Sequence, residues 1–248
     1  MGLPAIAVPE YRLKLPSTGE ELKYRPFLVK EEKILLVAME SESQEEIVNA
    51  TKTIIENCIY GKIDVDKLAT FDIEYIFLQL RGKAKGEIIE LQFKCEKCQN
   101  PIETAINIDE IKVNKNEEHT NNIKLNDDIG VMMKYPTIQM QLDVEKMQDT
   151  MTNVESLFET IMSCIDCIYD KENTYPSKDH TEKEMRDFIE SLTDENFQRI
   201  AKFFETMPTL KHKIVLNCEN KIKGKGKEKK TCNHKKEMTL EGLASFFD

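Results

Sequence analysis

The amino-acid sequence predicts an α+β fold, with helical segments around a zinc-ribbon-like β unit formed by two distant cysteine-bearing hairpins. Three observations predict it. Cys95 and Cys98 form a C-x-x-C knuckle between two alternating segments, Glu87 to Lys94 and Ile102 to Ile108. A second apolar-rich strand, His212 to Cys218, ends in a cysteine, and Cys232 opens a return segment. Helical patterns fill residues 29–82 and 153–206, one ahead of each cysteine tip. We read the chain as a single domain over residues 1–248, with ribbon-like β structure at 86–135 and 210–248.

Taken in order, residues 1–28 are extended and turn-rich. Pro4, Pro9, Pro16 and Pro26 break any helix. Tyr11, Leu13 and Leu15 alternate, a turn follows, and Leu22 and Tyr24 continue, which predicts a β-hairpin. From Val29 the pattern becomes helical. Residues Ile34 to Met39 are apolar nearly all round, which predicts central burial. Ser43 and Glu46 carry a capping-box signature for the next helix. Ile47, Ala50, Ile54, Ile55 and Cys58 share one face of it, and Gly61 ends it.

Ile73, Ile76, Phe77 and Leu80 recur at i, i+3, i+4, i+7, so residues 72–81 are helical, closed by Gly82 and Gly86. Asn114 to Asn122 is polar and aperiodic, a loop. A strand pair is expected from Asn122 to Lys134, stopped at Tyr135-Pro136. Val154, Leu157, Phe158, Ile161, Ile165 and Ile168 predict a helix over 153–169, which makes Cys164 and Cys167 core residues despite their C-x-x-C spacing. Thr181 and Glu184 start another helix, and Asp194 to Thr206 form the last, ended by Pro208. The terminus runs from a strand into the apolar Leu243, Phe246 and Phe247.

At 248 residues the chain can bury a substantial core. Charged residues are 32% and hydrophobic ones 40%, the balance of a globular protein with solvated faces. No apolar run approaches the ~20 residues a membrane helix needs, so no membrane association is expected. The start has no basic region followed by an apolar one, so no secretory signal is expected. Seven cysteines without such a signal point to a reducing compartment and to metal or buried thiols. The net charge of −10 argues against nucleic acid as a general partner, although Lys221 to Lys230 forms a local basic run.

A tight C-x-x-C turn supplies half of a tetrahedral zinc site, and the other half must come from elsewhere. Cys95, Cys98, Cys218 and Cys232 complete the set for one structural Zn²⁺; buried cysteines without metal are the plain alternative. His234, beside Cys232, competes for the fourth position. The 13 residues between Cys218 and Cys232 are long for a knuckle, which usually reads C-x₂₋₄-C. We read Glu219 to Thr231 as a flexible insertion in that turn, its lysines a solvated loop. No nucleophile elbow, phosphate loop, dinucleotide fingerprint or H-E-x-x-H pattern occurs, so neither catalysis nor a small-molecule substrate has a motif to rest on.

Residues Tyr24 to Ser41 (YRPFLVKEEKILLVAMES) and Leu240 to Phe247 (LEGLASFF), with the strand-borne C-x-x-C, resemble the baseplate protein family of T-even-type contractile-tailed phages. The resemblance runs over most of the chain in the same order. It implies a non-enzymatic role in assembling the central hub of the baseplate, in the host cytoplasm, through binding other hub and tail proteins. It leaves open whether the protein stays in the virion. The other reading is a zinc-ribbon nucleic-acid-binding regulator that uses the Lys221–Lys230 loop.

Overall fold

The N-terminal third is a small sheet packed on three helices. Strands β1 (Tyr11–Lys14) and β2 (Glu21–Tyr24) form the expected antiparallel hairpin. Helices α1 (Val29–Glu40) and α2 (Gln44–Cys58) follow, and β3 (Ile59–Tyr60) returns to pair with β2. Helix α3 (Thr70–Lys85) completes the layer. A computed structural model describes residues 4, 6–147, 151–223 and 229–242. Leu243, Phe246 and Phe247 lie outside the described residues, as does the centre of the Lys221–Lys230 run.

Helix α1 departs from the expected central burial. Leu35 and Ala38 are buried, but Val29, Leu36 and Val37 are 80%, 52% and 57% exposed. At 100° per residue only one stripe of a helix can meet a single neighbouring layer, so an apolar circumference does not itself bury the helix. What fixes α1 is polar. The carboxylate of Glu31, fully buried, accepts from the Leu28 N–H (2.9 Å) and from Arg25 Nη2 (2.8 Å). Arg25 also donates to the carbonyls of Pro26 and Asn57, which ties the entry of α1 to the end of α2. In α2, Ser43 Oγ caps the N–H of Glu46, and Val48, Ala50, Ile54, Ile55 and Cys58 are buried; Ile47 is only half-buried.

Helix α3 is the spine between two cores. Ile73, Ile76, Phe77 and Leu80 enter the N-terminal core, whereas Leu78 enters the ribbon core and Tyr75 packs against both. Each fully buried side chain of this size contributes roughly 1.5–3 kcal/mol. Gly82 lies inside the helix and does not end it. A Cβ there would stand 3.3 Å from Ile108 Cδ1, so glycine permits the close approach of the ribbon. Gly86, at φ +105°, is the residue that caps α3.

The ribbon has two hairpins. β4 (Ile88–Lys94) and β5 (Pro101–Asn107) pair antiparallel and turn Ile89, Leu91, Ile102 and Ile106 inward. Short β6 (Val113–Asn114) lies at the start of the expected loop and pairs with the first strand of the second hairpin, introduced below.

The third core corrects the expected boundaries. β7 (Asn122–Lys124) and β8 (Gly130–Met133) form the expected strand pair. They belong not to the ribbon but to a separate sheet. After α4 (Ile138–Met147), for which the sequence reading had no expectation, comes α5 (Asn153–Cys164). The helix expected to reach residue 169 stops at Cys164. Ile165 to Tyr169 is a strand, β9, which pairs with β8 and with β10 (Thr174–Pro176). Ile165 and Ile168 fit a helical stripe, but β-branched residues also suit strands, and the open edge of β8 takes their backbone bonds. Val131 stands opposite Ile168, and the Lys134 N–H donates to Cys164 O (2.8 Å). Helices α6 (Glu182–Glu190) and α7 (Asp194–Thr206) start at the capping residues Thr181 and Thr193 and cover this sheet.

The last hairpin closes the ribbon. β11 (Thr209–Cys218) pairs along its length with the final strand, from Lys211 opposite Glu241 to Cys218 opposite His234. Between them the insertion is not structureless: β12 (Lys221–Lys223) and β13 (Lys229–Thr231) pair as a small hairpin of their own. The final strand is β14 (His234–Glu241), and the sheet order is β14-β11-β6.

Candidate metal centre

The β4–β5 turn and the β11–β14 turn meet, and all four expected cysteines meet with them. The ligand atoms of Cys95, Cys98, Cys218 and Cys232 all lie within 4.8 Å of one another. Two sulfur contacts cross between hairpins: Cys95 Sγ to Cys232 Sγ is 3.8 Å, and Cys98 Sγ to Cys218 Sγ is 3.5 Å. Four thiolates at ~2.3 Å from one tetrahedral zinc stand about 3.8 Å apart, so the spacing suits that ion. Cys95, Cys218 and Cys232 are buried and Cys98 is half-buried. Among the described residues no other group of three or more His, Cys, Asp or Glu has metal-binding geometry.

The two turns share one local architecture. In the first, the Gln99 N–H donates to Cys95 O (2.8 Å), and Gln99 is left-handed at φ +59°. In the second, the Asn233 N–H donates to Cys218 O (3.0 Å), and Asn233 is left-handed at φ +50°. The thiols are held alike. Cys98 Sγ accepts from the N–H of Asn100, Cys218 from that of Asn220, and Cys232 from that of His234, in each case two residues on. Cys95 accepts from the N–H groups of Lys97 and Cys98.

This equivalence explains the long spacing between Cys218 and Cys232. The β12–β13 hairpin is inserted between the third and fourth positions of a knuckle. Its antiparallel pairing returns the chain to where it left, so that the Cys232 N–H donates to Asn220 O (2.9 Å). Without the hairpin, Cys218, Glu219, Asn220, Cys232 and Asn233 follow the spacing of Cys95 to Gln99.

Four thiols this close cannot ionise independently. At Cys95 burial opposes ionisation, but the backbone N–H donors of Cys98 and Lys97 outweigh it and lower the thiol below its ordinary value. At Cys218 burial likewise opposes, and the donors of Asn220 with the neighbouring thiols bring it down to about 7. At Cys98 the Asn100 N–H favours the thiolate, but burial and the other three sulfurs push it up to about 12. Burial and the Cys218 and Cys95 sulfurs raise Cys232. Such splitting is what mutual repulsion produces in a shared anionic site, and a divalent cation would relieve it.

The other sequence candidates fall elsewhere. His234 is not in the cluster: its Nε2 is 3.9 Å from Glu96 Oε2. Cys164 is buried in the third core, its thiol pushed up to about 11 by burial, and Cys167 is half-buried on β9. His119 bridges Thr206 Oγ1 (2.9 Å) and the Tyr135 hydroxyl (3.1 Å) and stacks on Tyr135, a structural position. Sequence reasoning missed Asn220 and Asn233. Their only signal was a C-E-N … C-N order that matches C-E-K-C-Q once the insertion is removed.

The comparisons agree with this end-to-end organisation. The family model described as T4 bacteriophage base plate protein matches residues 8–248. The chain is 24% identical over 240 residues to the baseplate hub assembly protein gp26 of Enterobacteria phage T4, covering 96% of this chain and 98% of that protein. No solved structure matches the chain. The match over nearly the whole length, from the N-terminal hairpin through both cysteine turns, shows that the chain belongs to the T4 bacteriophage base plate protein family.

Proposed function

We propose that this protein is a non-enzymatic component or assembly factor of the central hub of a contractile phage tail, acting by binding other baseplate and tail proteins. The observation that carries the reading is the alignment to a hub assembly protein over 96% of the chain. In this reading the chain works as one unit, in the host cytoplasm during assembly and at the virion baseplate. Cys95, Cys98, Cys218 and Cys232 hold one structural Zn²⁺. A closed set of four thiolates keeps no position for water or substrate, so the ion clamps two hairpins and supplies no catalysis. Its binding energy becomes folding energy, because the site exists only when both turns are in place.

The test is capture of tagged full-length protein from infected cells, with mass spectrometry of what remains bound. Other tail components are the expected catch. Retention of DNA at physiological salt with no tail protein would replace this reading with that of a zinc-ribbon regulator using the Lys221–Lys230 loop.

A further inference from the structure

The cysteine turns carry a charge opposite to that of the rest of the chain. Their described residues, 94–100, 217–223 and 229–236, contain eight lysines (Lys94, Lys97, Lys221, Lys223, Lys229, Lys230, Lys235 and Lys236) and two glutamates, a net of +6. The whole chain is −10, so everything else sums to −16. Lys94, Lys97, Lys221, Lys230, Lys235 and Lys236 are exposed. One of the two acids, Glu96, is already engaged by Lys236 and held below its ordinary range by it. The inserted hairpin is what adds Lys221, Lys223, Lys229 and Lys230 to this end of the ribbon.

We propose that this basic tip is a docking surface for an acidic segment of another baseplate protein. The proposal rests on the hub reading above, and it adds which surface does the binding and the chemistry of what it binds. Opposite charges at a rim set the encounter rate and the orientation of a partner. Lysine ammonium groups are compact, rotatable point charges that attract carboxylates without demanding a fixed bidentate geometry. These turn segments contain no arginine and no Phe, Tyr or Trp on which a base could stack. A long polyanion would also run past the patch onto the acidic remainder of the chain. An acidic protein segment of limited length avoids that repulsion, which acts within about 8 Å at physiological salt.

The experiment uses full-length protein and the charge-reversal variant K230E/K235E, neither residue being a cysteine ligand or buried. Unchanged zinc content and melting temperature establish that the variant is folded; if it is not, K221Q/K230Q takes its place. The probes are fluorescein-labelled decaglutamate and an oligothymidylate of equal charge, read by anisotropy, with sedimentation for self-association. The native protein should bind decaglutamate more tightly than oligothymidylate, and the variant, with two rim charges reversed, should bind it at least about tenfold more weakly at low salt. Equal binding by both proteins overturns the proposal. Tighter binding of oligothymidylate at physiological salt assigns the tip to nucleic acid, and self-association that the variant abolishes assigns it to a second copy; either overturns it. Capture from infected cells separates the two readings. A variant that retains all the tail partners of the native protein refutes the tip while the hub reading stands. A native protein that captures none refutes the hub reading, whatever the peptide shows.

Discussion

The Asn233 N–H donates to the Cys218 carbonyl across 3.0 Å, although fourteen residues separate them, as the Gln99 N–H donates to Cys95 across 2.8 Å. One bond closes a continuous knuckle; the other closes a knuckle with a hairpin spliced into it. Both end in a left-handed residue, Gln99 or Asn233. Asparagine tolerates that region better than most residues.

If the splice is neutral to the site, deleting Lys221 to Thr231 and joining Asn220 to Cys232 should leave metal binding intact. The shortened turn reads C-E-N-C-N. Elemental analysis should still find one zinc per chain. Loss of zinc from a folded deletion protein would show that the hairpin shapes the site.

The ligand set has its own test. Cys95→Ser and Cys232→Ser should each lower zinc content and melting temperature together, since each removes one of four thiolates. Cys164→Ser, in the third core, should leave zinc content unchanged. His234→Ala should do the same, because the imidazole lies outside the cluster. Native protein purified without chelator and free of zinc would refute the centre.

The Arg25–Glu31 pair joins a mostly covered guanidinium to a fully buried carboxylate, with side chains 12% and 0% exposed. Removing Glu31 strands the Arg25 charge, so Glu31→Ala should cost about 3–5 kcal/mol in denaturant unfolding, and Arg25→Ala should cost less, because Lys30 Nζ still stands 3.3 Å from Glu31 Oε1. Replacing both together with apolar residues should cost less than either single change. A loss below about 1 kcal/mol for Glu31→Ala, the range of exposed pairs, would contradict this role.

Glu74 gives stability a pH dependence. Burial, reinforced by Glu241 and opposed by Lys211, pushes its carboxyl up from 4.5 to about 7. A raised folded-state value means the protonated form is favoured on folding. The associated stability is present below about 4.5 and is lost as pH rises through about 7. Glu74→Gln should therefore melt higher than the native protein above neutrality and about the same in mild acid. A native protein that outlasts the variant at high pH would reverse the sign.

The sequence by itself determined the periodic elements and the ligand types. The stripes at Ile73–Leu80 and over α5 (Val154, Leu157, Phe158 and Ile161), the caps at Thr181 and Ser43, and the alternation around Cys95 and Cys98 are local signals, each readable within about four residues. That Cys95, Cys98, Cys218 and Cys232 belong together was legible because neither turn alone supplies four thiolates. Tertiary structure decided the rest. Ile165 to Tyr169 satisfies a helical stripe and a strand equally well, and only the open edge of β8 selects the strand. Residues 122–133 alternate like ribbon strands, yet pairing with β9 places them in another sheet. Leu36 and Val37 look like core in sequence, but α1 meets the protein on one side only. The spacing between Cys218 and Cys232 looked too long for a knuckle until β12 paired with β13 and returned Cys232 to Asn220. In each case the deciding interaction joins residues that local periodicity cannot relate, because a backbone edge or an available face is a property of the assembled neighbours.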